Sequence, residues 1–226
     1  MRELSKTLTA LALGCTVMSA SAAWAAAPDS LPPDEAASAA PVEPSAMTQV
    51  ADWVTASRDN NGAPFAVIDK TIATVFVFDA RGALLGAAPA LIGLARGDDS
   101  VPGIGDRPLS TILPEEKTTP AGRFVISFGR DLHGGEVLWI DYATAVSIHP
   151  VVTSNRQEQR QARLDSPSSE DNRITYGCVN VPAAFYEQVV RPTFAEGKGV
   201  FYILPEEKPL EAVFPGFKGP ARRAAR

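Results

Sequence analysis

Short apolar stretches separated by turn residues dominate the chain from Phe65 onward, and this pattern predicts β-strands. The stretches are rich in β-branched and aromatic residues, which favour extended backbone. They cover residues 65–69, 73–78, 83–95, 123–128, 137–140, 145–148 and 199–204. Because helical segments do not alternate with these stretches, we expect an antiparallel, mainly β domain over residues 65–205 rather than a Rossmann-type sheet.

Two segments instead have helical periodicity. Ser45 is a suitable cap for an N-terminal helix within residues 45–60, which has Val50 and Val54 on one side. The second helix is predicted over residues 182–190, where a proline supplies the first position. The architecture expected from both patterns is a β domain with a few short helices.

The first 25 residues match a cleavable export signal. Arg2 and Lys6 precede an apolar run, and the small-residue site Ala23-Trp24-Ala25 follows it. The apolar run is too short to be a spanning helix, so we expect an exported protein of the periplasm or cell envelope with no transmembrane span in the mature chain. A lipoprotein cleavage site at Cys15 is the alternative interpretation.

The segments on either side of the predicted domain have a different composition. Residues 26–44 are mostly Ala, Pro, Ser and Glu, which is typical of a flexible linker, and residues 206–226 are expected to form a C-terminal tail. The whole chain is 45% hydrophobic and 21% charged, with a formal net charge of -5. Nothing in this balance points to nucleic acid or to an anionic membrane surface as a partner.

Cys178 is the first candidate for chemistry. The other cysteine, Cys15, lies in the predicted signal, so Cys178 has no partner for an internal disulfide. Gly177 precedes it in a strand-like stretch that ends at Pro182, and such a corner would expose the sulfur next to backbone N–H groups. The N–H groups of Gly177 and Cys178 are the expected donors to an oxyanion. A buried small apolar residue is the alternative role for this cysteine.

A catalytic thiol needs a base, and the chain has two histidines. His149 follows a predicted strand, which would hold it in place, whereas His133 lies in a Gly-containing turn. We therefore expect His149 to be the base, with the carbonyl of Pro150 as a candidate acceptor for its ring N–H. A zinc site of both histidines and Cys178 is the weakest option because short ligand spacing is lacking, and we expect neither a metal nor a cofactor.

The residues around Cys178 resemble the motif of the L,D-transpeptidases (YkuD-type). That motif has a His, a spacer, and then Ser/Thr-His-Gly-Cys-hydrophobic-Asn or Arg, and this chain has His149, a spacer, Thr175 and Tyr176-Gly177-Cys178-Val179-Asn180. Upstream, Thr119-Pro120-Ala121-Gly122-Arg123-Phe124 is similar to the family's Thr-Pro-x-Gly-x-Phe element. The resemblance covers about residues 65–205.

This resemblance implies a β-sandwich fold with the cysteine in a cleft. It also implies transfer of a peptidoglycan stem peptide from its D-amino-acid leaving group to an amine, through a thioester on Cys178 with His149 as the base. Water as the acceptor would make the protein an L,D-carboxypeptidase. A cell-wall-binding module without catalytic activity is the alternative from a different class.

Three departures from the motif bear on activity. Tyr176 replaces the second His of the motif, and it either supports the site or packs beside the strand. Pro150 stands where a Gly or Ser usually follows the upstream His. The spacer between His149 and Thr175 is longer than usual, and the additional residues lie in the polar stretch 155–172. This stretch fits two interpretations equally well, a lid that holds charged stem peptides or a solvated loop.

Three further residues are candidate substrate contacts. Thr175 and Asn180 flank the cysteine, although Asn180 also suits a structural hydrogen bond to backbone near it. Arg107 has the planar guanidinium that suits a substrate carboxylate, but pairing with the adjacent Asp106 is the competing interpretation.

Overall fold

A computed structural model describes residues 44–130 and 134–219, and the description of the structure concerns these residues. The strands are β1 (Phe65–Asp69), β2 (Thr74–Phe78), β3 (Leu84–Pro89), β4 (Ile92–Gly93), β5 (Gly122–Val125), β6 (Ser127–Arg130), β7 (Glu136–Asp141), β8 (Val146–Pro150), β9 (Arg173–Thr175), β10 (Val179–Val181) and β11 (Val200–Ile203). The helices are α1 (Ala46–Ser57), α2 (Arg160–Leu164), α3 (Ala183–Phe185), α4 (Arg191–Thr193) and α5 (Leu210–Val213). The mainly β fold with short helices that the sequence predicts is confirmed.

Most strands form two sheets. One has the order β3-β2-β1-β11-β5, the other has the order β10-β8-β7-β6, and β4 pairs with β9 separately. Apolar side chains from both large sheets and from the helical segment after β10 share one core, so the sheets pack face to face as a β-sandwich. These core residues include Ile68, Val75, Val77, Leu138, Ile148, Val179, Val181, Val190, Phe194 and Ile203.

The expected antiparallel arrangement holds for most strand pairs of the described residues but not for all of them. Three pairs are parallel: β1 with β11, β8 with β10, and β4 with β9. Parallel pairing requires a long crossover connection, and here residues 151–178 connect β8 to β10. Hydrophobic alternation reports which face of a strand is buried and carries no information on strand direction, so the sequence pattern could not reveal these pairs.

A second apolar cluster lies on the outer face of β1. Alternate residues of this strand point in opposite directions, so Ala66 and Ile68 belong to the sandwich core while Phe65 and Val67 contact the second cluster. α1 packs there, and the cluster also includes Val50, Val54, Tyr202, Phe214 and Phe217. Strand β1 is therefore buried on both faces, and the segment expected to be a C-terminal tail contains α5 and two buried aromatic rings.

The predicted strand over residues 123–128 is two strands with a break at Ile126. β5 pairs with β11 in the first sheet, and β6 pairs with β7 in the second. The side chain of Ile126 is buried in the shared core, which anchors the chain where it passes from one sheet to the other.

Buried charged side chains form hydrogen bonds that fix the loops around the edge of the β-sandwich. Lys70 Nζ donates to Asp98 Oδ1 at 2.8 Å and to the backbone oxygen of Thr119 at 3.1 Å. Asp98 also accepts the N–H groups of residues 206–208. Burial alone raises the pKa of Asp98, but Lys70 and these N–H groups outweigh it and lower the pKa to about 2. Arg173 pairs with Glu206 in the same cluster.

None of the helices within residues 44–130 and 134–219 has the length and apolar character needed to cross a lipid bilayer. The predicted export signal and most of the predicted linker lie outside the described residues, as does His133.

Candidate active site

Strand pairing brings the cysteine corner beside the strand that carries His149. β10 runs parallel to β8, and their register sets Asn180 opposite His149. Cys178 lies in the short segment between β9 and β10, immediately before β10 begins. Its side chain is partly exposed and has no disulfide partner among the described residues. The fold therefore joins the two predicted residues, which lie far apart along the chain, in one place.

Among the described residues, polar groups of Ala145, Ser147 and His149 contact the Cys178 sulfur. Ser147 Oγ lies 3.5 Å from Sγ, the backbone oxygen of Ala145 also lies 3.5 Å from it, and His149 forms a hydrogen bond with the thiol group. Burial alone raises the pKa of the Cys178 thiol. Hydrogen bonds with His149 and Ser147 oppose this effect and leave the pKa below its ordinary value. The Cys178 thiol is therefore easier to ionise than its burial alone would allow.

The imidazole of His149 is fixed by its neighbours on both sides. Nδ1 lies 2.8 Å from the backbone oxygen of Pro150, and because a carbonyl only accepts, Nδ1 carries the proton. In the neutral ring, Nε2 is then the acceptor nitrogen. Asn180 Nδ2 lies 3.0 Å from Nε2 and donates to it. The Pro150 carbonyl thus makes the orienting contact considered from the sequence, despite the unusual residue at this position.

Asn180 is 1% exposed and has partners at both ends of its amide. Arg160 Nη1 donates to Asn180 Oδ1 at 2.7 Å, while Nδ2 faces His149. Its side chain therefore binds two other side chains, whereas the sequence suggested a bond to the local backbone. Arg160 itself is held by an ion pair with Glu158.

The turn that presents Cys178 is closed by a threonine hydroxyl. Thr175 Oγ1 donates to the backbone oxygen of Cys178 at 2.6 Å and accepts the N–H of Gly177 at 3.1 Å. Thr175 is buried, and both of these hydrogen bonds stabilise the turn. The Gly177 N–H, expected as an oxyanion donor, is engaged in this contact in the present geometry.

A second threonine fixes the turn from the other side. Thr119 Oγ1 donates to the backbone oxygen of Gly177 and accepts the N–H of Gly93, each at 2.8 Å. Thr119 belongs to the Thr-Pro-x-Gly-x-Phe element noted in the sequence, and its hydroxyl connects this element to the turn before Cys178. Its loop is held in turn by Lys70.

The remaining predicted residues differ in their surroundings. Tyr176 is 40% exposed beside Cys178, and Lys117 Nζ lies 3.8 Å from the centre of its ring. Arg107 makes two hydrogen bonds to Glu116 and one to the Thr111 backbone, all within its own loop. The contacts of Arg107 are thus internal to the loop, with Glu116 as the partner in place of the expected Asp106.

Sequence reasoning missed two residues of the site, Ser147 and Arg160. Ser147 could have been found, because it lies two positions before His149 on a predicted strand and such residues share a face. Arg160 gave no such signal, since it is one of several arginines in the polar stretch of residues 155–172. Only its hydrogen bond to Asn180 in β10 distinguishes it.

No group of three or more His, Cys, Asp and Glu side chains in the described parts of the chain is arranged to hold a metal ion. A partly exposed thiol beside an oriented imidazole is chemically suited to act as a nucleophile.

No protein-family model and no curated protein matches this sequence. The structure is similar to solved structures of L,D-transpeptidases. An L,D-transpeptidase from Mycobacterium tuberculosis is 15% identical, with a TM-score of 0.38 over 63% of this chain and 57% of that one. For the catalytic domain of an Enterococcus faecium L,D-transpeptidase, the identity is 15% and the TM-score 0.32 over 63% and 98%.

A helical cell shape determining protein from Campylobacter jejuni is 13% identical, with a TM-score of 0.42 over 73% of this chain and 58% of that one. The match spans less than two thirds of the length of several of these proteins. With TM-scores below 0.5, the function must be argued from the residues of this chain.

Proposed function

We propose that this protein is a cysteine acyltransferase that acts on peptidoglycan stem peptides by L,D-transpeptidation. The observation that carries the proposal is the His149 ring, which is oriented by Pro150 and hydrogen-bonded to a partly exposed Cys178 thiol. The substrate class is inferred from the likeness of the Cys178 motif to that of the L,D-transpeptidases. Export to the cell envelope, which such a substrate requires, is part of the proposal.

The first half of the reaction forms a thioester. His149 Nε2 gives up the hydrogen bond from Asn180 and takes the proton from Sγ. The thiolate then attacks the carbonyl carbon of the peptide bond that precedes the D-amino-acid leaving group. His149 returns the proton to the leaving nitrogen as the C–N bond breaks. The acyl group then remains on Cys178, and the D-amino acid departs as a free amine.

The second half regenerates the thiol. An amine of another stem peptide attacks the thioester carbonyl, His149 accepts its proton, and the C–S bond breaks with return of that proton to sulfur. With the Gly177 N–H bonded to Thr175, the Cys178 N–H is the proposed donor to the oxyanion in both halves. Water in place of the amine would give carboxypeptidase activity with the same residues.

The flanking residues have separate proposed roles. Tyr176 is exposed beside the sulfur and forms part of the entrance for the substrate. Thr175 and Thr119 hold the turn that presents the thiol, and Asn180 orients His149. We assign no role to Arg107, because its guanidinium is bonded within its own loop.

The test uses purified chain, intact bacterial sacculi and a carbapenem. The expected result is a mass increase on Cys178 with the drug, together with new cross-linked stem peptides in the muropeptide profile. Cys178→Ala should abolish both, and His149→Gln should slow both. Trimmed stems without new cross-links would identify a carboxypeptidase. A thiol that resists the drug in a folded chain, with an unchanged muropeptide profile, would refute the proposed chemistry and leave a wall-binding module.

Export is tested separately. The intact mass of protein recovered from the envelope of an expressing bacterium should correspond to a chain that begins at Ala26. An uncleaved chain in the cytoplasm would contradict this part of the proposal.

A further inference from the structure

The polar stretch before the cysteine reaches the site through one side chain. α2 (Arg160–Leu164) carries Arg160, whose side chain is only 16% exposed, and its guanidinium donates to Asn180 Oδ1 at 2.7 Å. Asn180 Nδ2 in turn donates to His149 Nε2 at 3.0 Å. A chain of two hydrogen bonds therefore connects this stretch to the proposed base.

The direction of this chain is set by Arg160. A guanidinium only donates hydrogen bonds, so the atom of Asn180 that faces it must be the amide oxygen. The NH₂ group of the same amide must then face the imidazole. Because Asn180 is buried and lies in β10, the amide cannot turn elsewhere to find water.

This orientation favours one charge state of His149. With Nδ1–H bonded to the Pro150 oxygen, the neutral ring accepts the Asn180 N–H at Nε2. An imidazolium would place a second N–H at Nε2, opposite the NH₂ group of Asn180. Two donors facing each other repel, and a flip of the amide would only move this conflict to Arg160.

We propose that Arg160 is a positioning residue that fixes the Asn180 amide and thereby disfavours the thiolate–imidazolium pair in the resting site. The protein then keeps a neutral thiol and a neutral base until substrate arrives. This inference rests on the proposed function, because it assigns Arg160 a role toward the same Cys178 and His149. It gives the long spacer a purpose other than a lid or a solvated loop.

Within residues 44–130 and 134–219, charged side chains from two segments lie near the site. Arg160 and Glu158 come from the stretch before β9, where they pair with each other, and Lys117 comes from the loop before β5, where it lies over Tyr176. Removal of the positive charge of Arg160 destabilises the Cys178 thiolate and stabilises the His149 imidazolium, so these two electrostatic effects oppose each other. The net effect on the pair is therefore dominated by the released Asn180 amide.

The first test is the pH dependence of Cys178 alkylation by iodoacetamide in the full chain. In Arg160→Met, Asn180 can flip and accept a hydrogen bond from the imidazolium. The midpoint should move to lower pH, with about tenfold faster alkylation on the acid side, the effect of one hydrogen bond to a charged group. Arg160→Lys keeps a donor and should restore the wild-type profile. Arg156→Met removes an exposed charge nearby and should leave the profile unchanged.

The second test measures the protonation of the His149 ring directly and does not depend on thiol reactivity. In ¹⁵N-labelled protein, the ring signals of His149 are assigned by comparison with His133→Gln. Arg160→Met should raise the pH at which His149 becomes an imidazolium, and Arg160→Lys should not. An unchanged or lower value in a folded Arg160→Met variant would overturn the inference, even if wild-type Cys178 is acylated by a carbapenem. An unreactive wild-type thiol would instead refute the proposed function.

Discussion

A Cβ atom on Gly177 would lie 2.8 Å from the backbone oxygen of Thr118, and Gly177 has a φ angle of +131°. Both facts require glycine at this position, because real Cβ atoms do not approach a carbonyl so closely and other residues rarely adopt that φ. The glycine before the cysteine is therefore needed to bring the turn against the loop that carries Thr119.

We expect Gly177→Ala to lower the free energy of unfolding by about 1–3 kcal/mol or more, through backbone strain and the clash with Thr118. It should also slow alkylation of Cys178, because the turn must move away from Thr119. Thermal unfolding and the alkylation rate measure the two effects. The matched control is Gly216→Ala, since Gly216 also has a positive φ, +95°, but has open space around its Cβ position. Equal thiol reactivity in both variants would contradict the argument.

The next prediction concerns the effect of the Ser147 hydroxyl on the pKa of the Cys178 thiol. Ser147 favours the thiolate, so its removal in Ser147→Ala should raise the pKa of Cys178. The midpoint of the alkylation profile should then move to higher pH by about half to one unit, since the contact is long at 3.5 Å. This direction is opposite to that expected for Arg160→Met. The control is Ser127→Ala, which should leave the midpoint unchanged because Ser127 is an exposed residue of β6.

Because Lys70 and Asp98 form a buried ion pair, we expect the free energy of unfolding to depend on pH. The pKa of Asp98 is lowered to about 2 in the folded protein, from about 3.9 in an unfolded chain. The carboxylate therefore stabilises the fold above about pH 4, and this stabilisation is lost as the pH falls through about 2.

Asp98→Asn should accordingly cost about 3–5 kcal/mol at neutral pH, because the buried Lys70 charge loses its carboxylate partner at 2.8 Å and keeps the more distant Glu206 at 3.7 Å. Chemical denaturation over a series of pH values should show the gap between wild type and variant closing as the solution becomes acidic. The neighbouring Asp99 is 76% exposed and pairs with Lys208, so Asp99→Asn should change stability by less than about 0.5 kcal/mol. A pH-independent gap for Asp98→Asn would exclude this account.

The second apolar cluster predicts that the segment after β11 is part of the folded domain. Phe214 is 0% exposed, and its ring centre lies 5.9 Å from that of Tyr202 and 6.1 Å from that of Trp53. Phe214→Ala should therefore lower the free energy of unfolding by about 3–5 kcal/mol. Tyr142→Ala removes an aromatic ring that is 77% exposed and should cost about 1 kcal/mol or less. Similar losses for both variants would show that Phe214 is not packed as described.

Local features were predictable from the sequence because they depend on neighbouring residues. Ser45 accepts the N–H of Thr48 at the start of α1, as its capping position predicted. The alternation of buried positions located most strands to within a few residues. The pairing of Cys178 with His149 followed from chemical necessity, since a thiol needs a base and the chain offers few.

Long-range features were not predictable, because they depend on how distant segments pack. The parallel directions of β10 and β11 come from crossovers that leave no mark on alternation. Lys70 lies just after a strand, where a solvent-exposed turn residue would be expected, yet it is buried by loops far away in sequence. Arg160 is distinguished from nearby arginines only by its contact with Asn180.

The position of β11 has a consequence for how the chain folds. Val200–Ile203 is the last strand in sequence, yet it lies between β1 and β5 inside the five-stranded sheet. A ribosome or a secretion channel delivers this segment after every other described strand, so the edges of β1 and β5 that pair with it stay unpaired until it emerges. Open edges of this kind invite association with other chains. We therefore expect aggregation of nascent or truncated protein to depend on how soon Val200–Ile203 emerges.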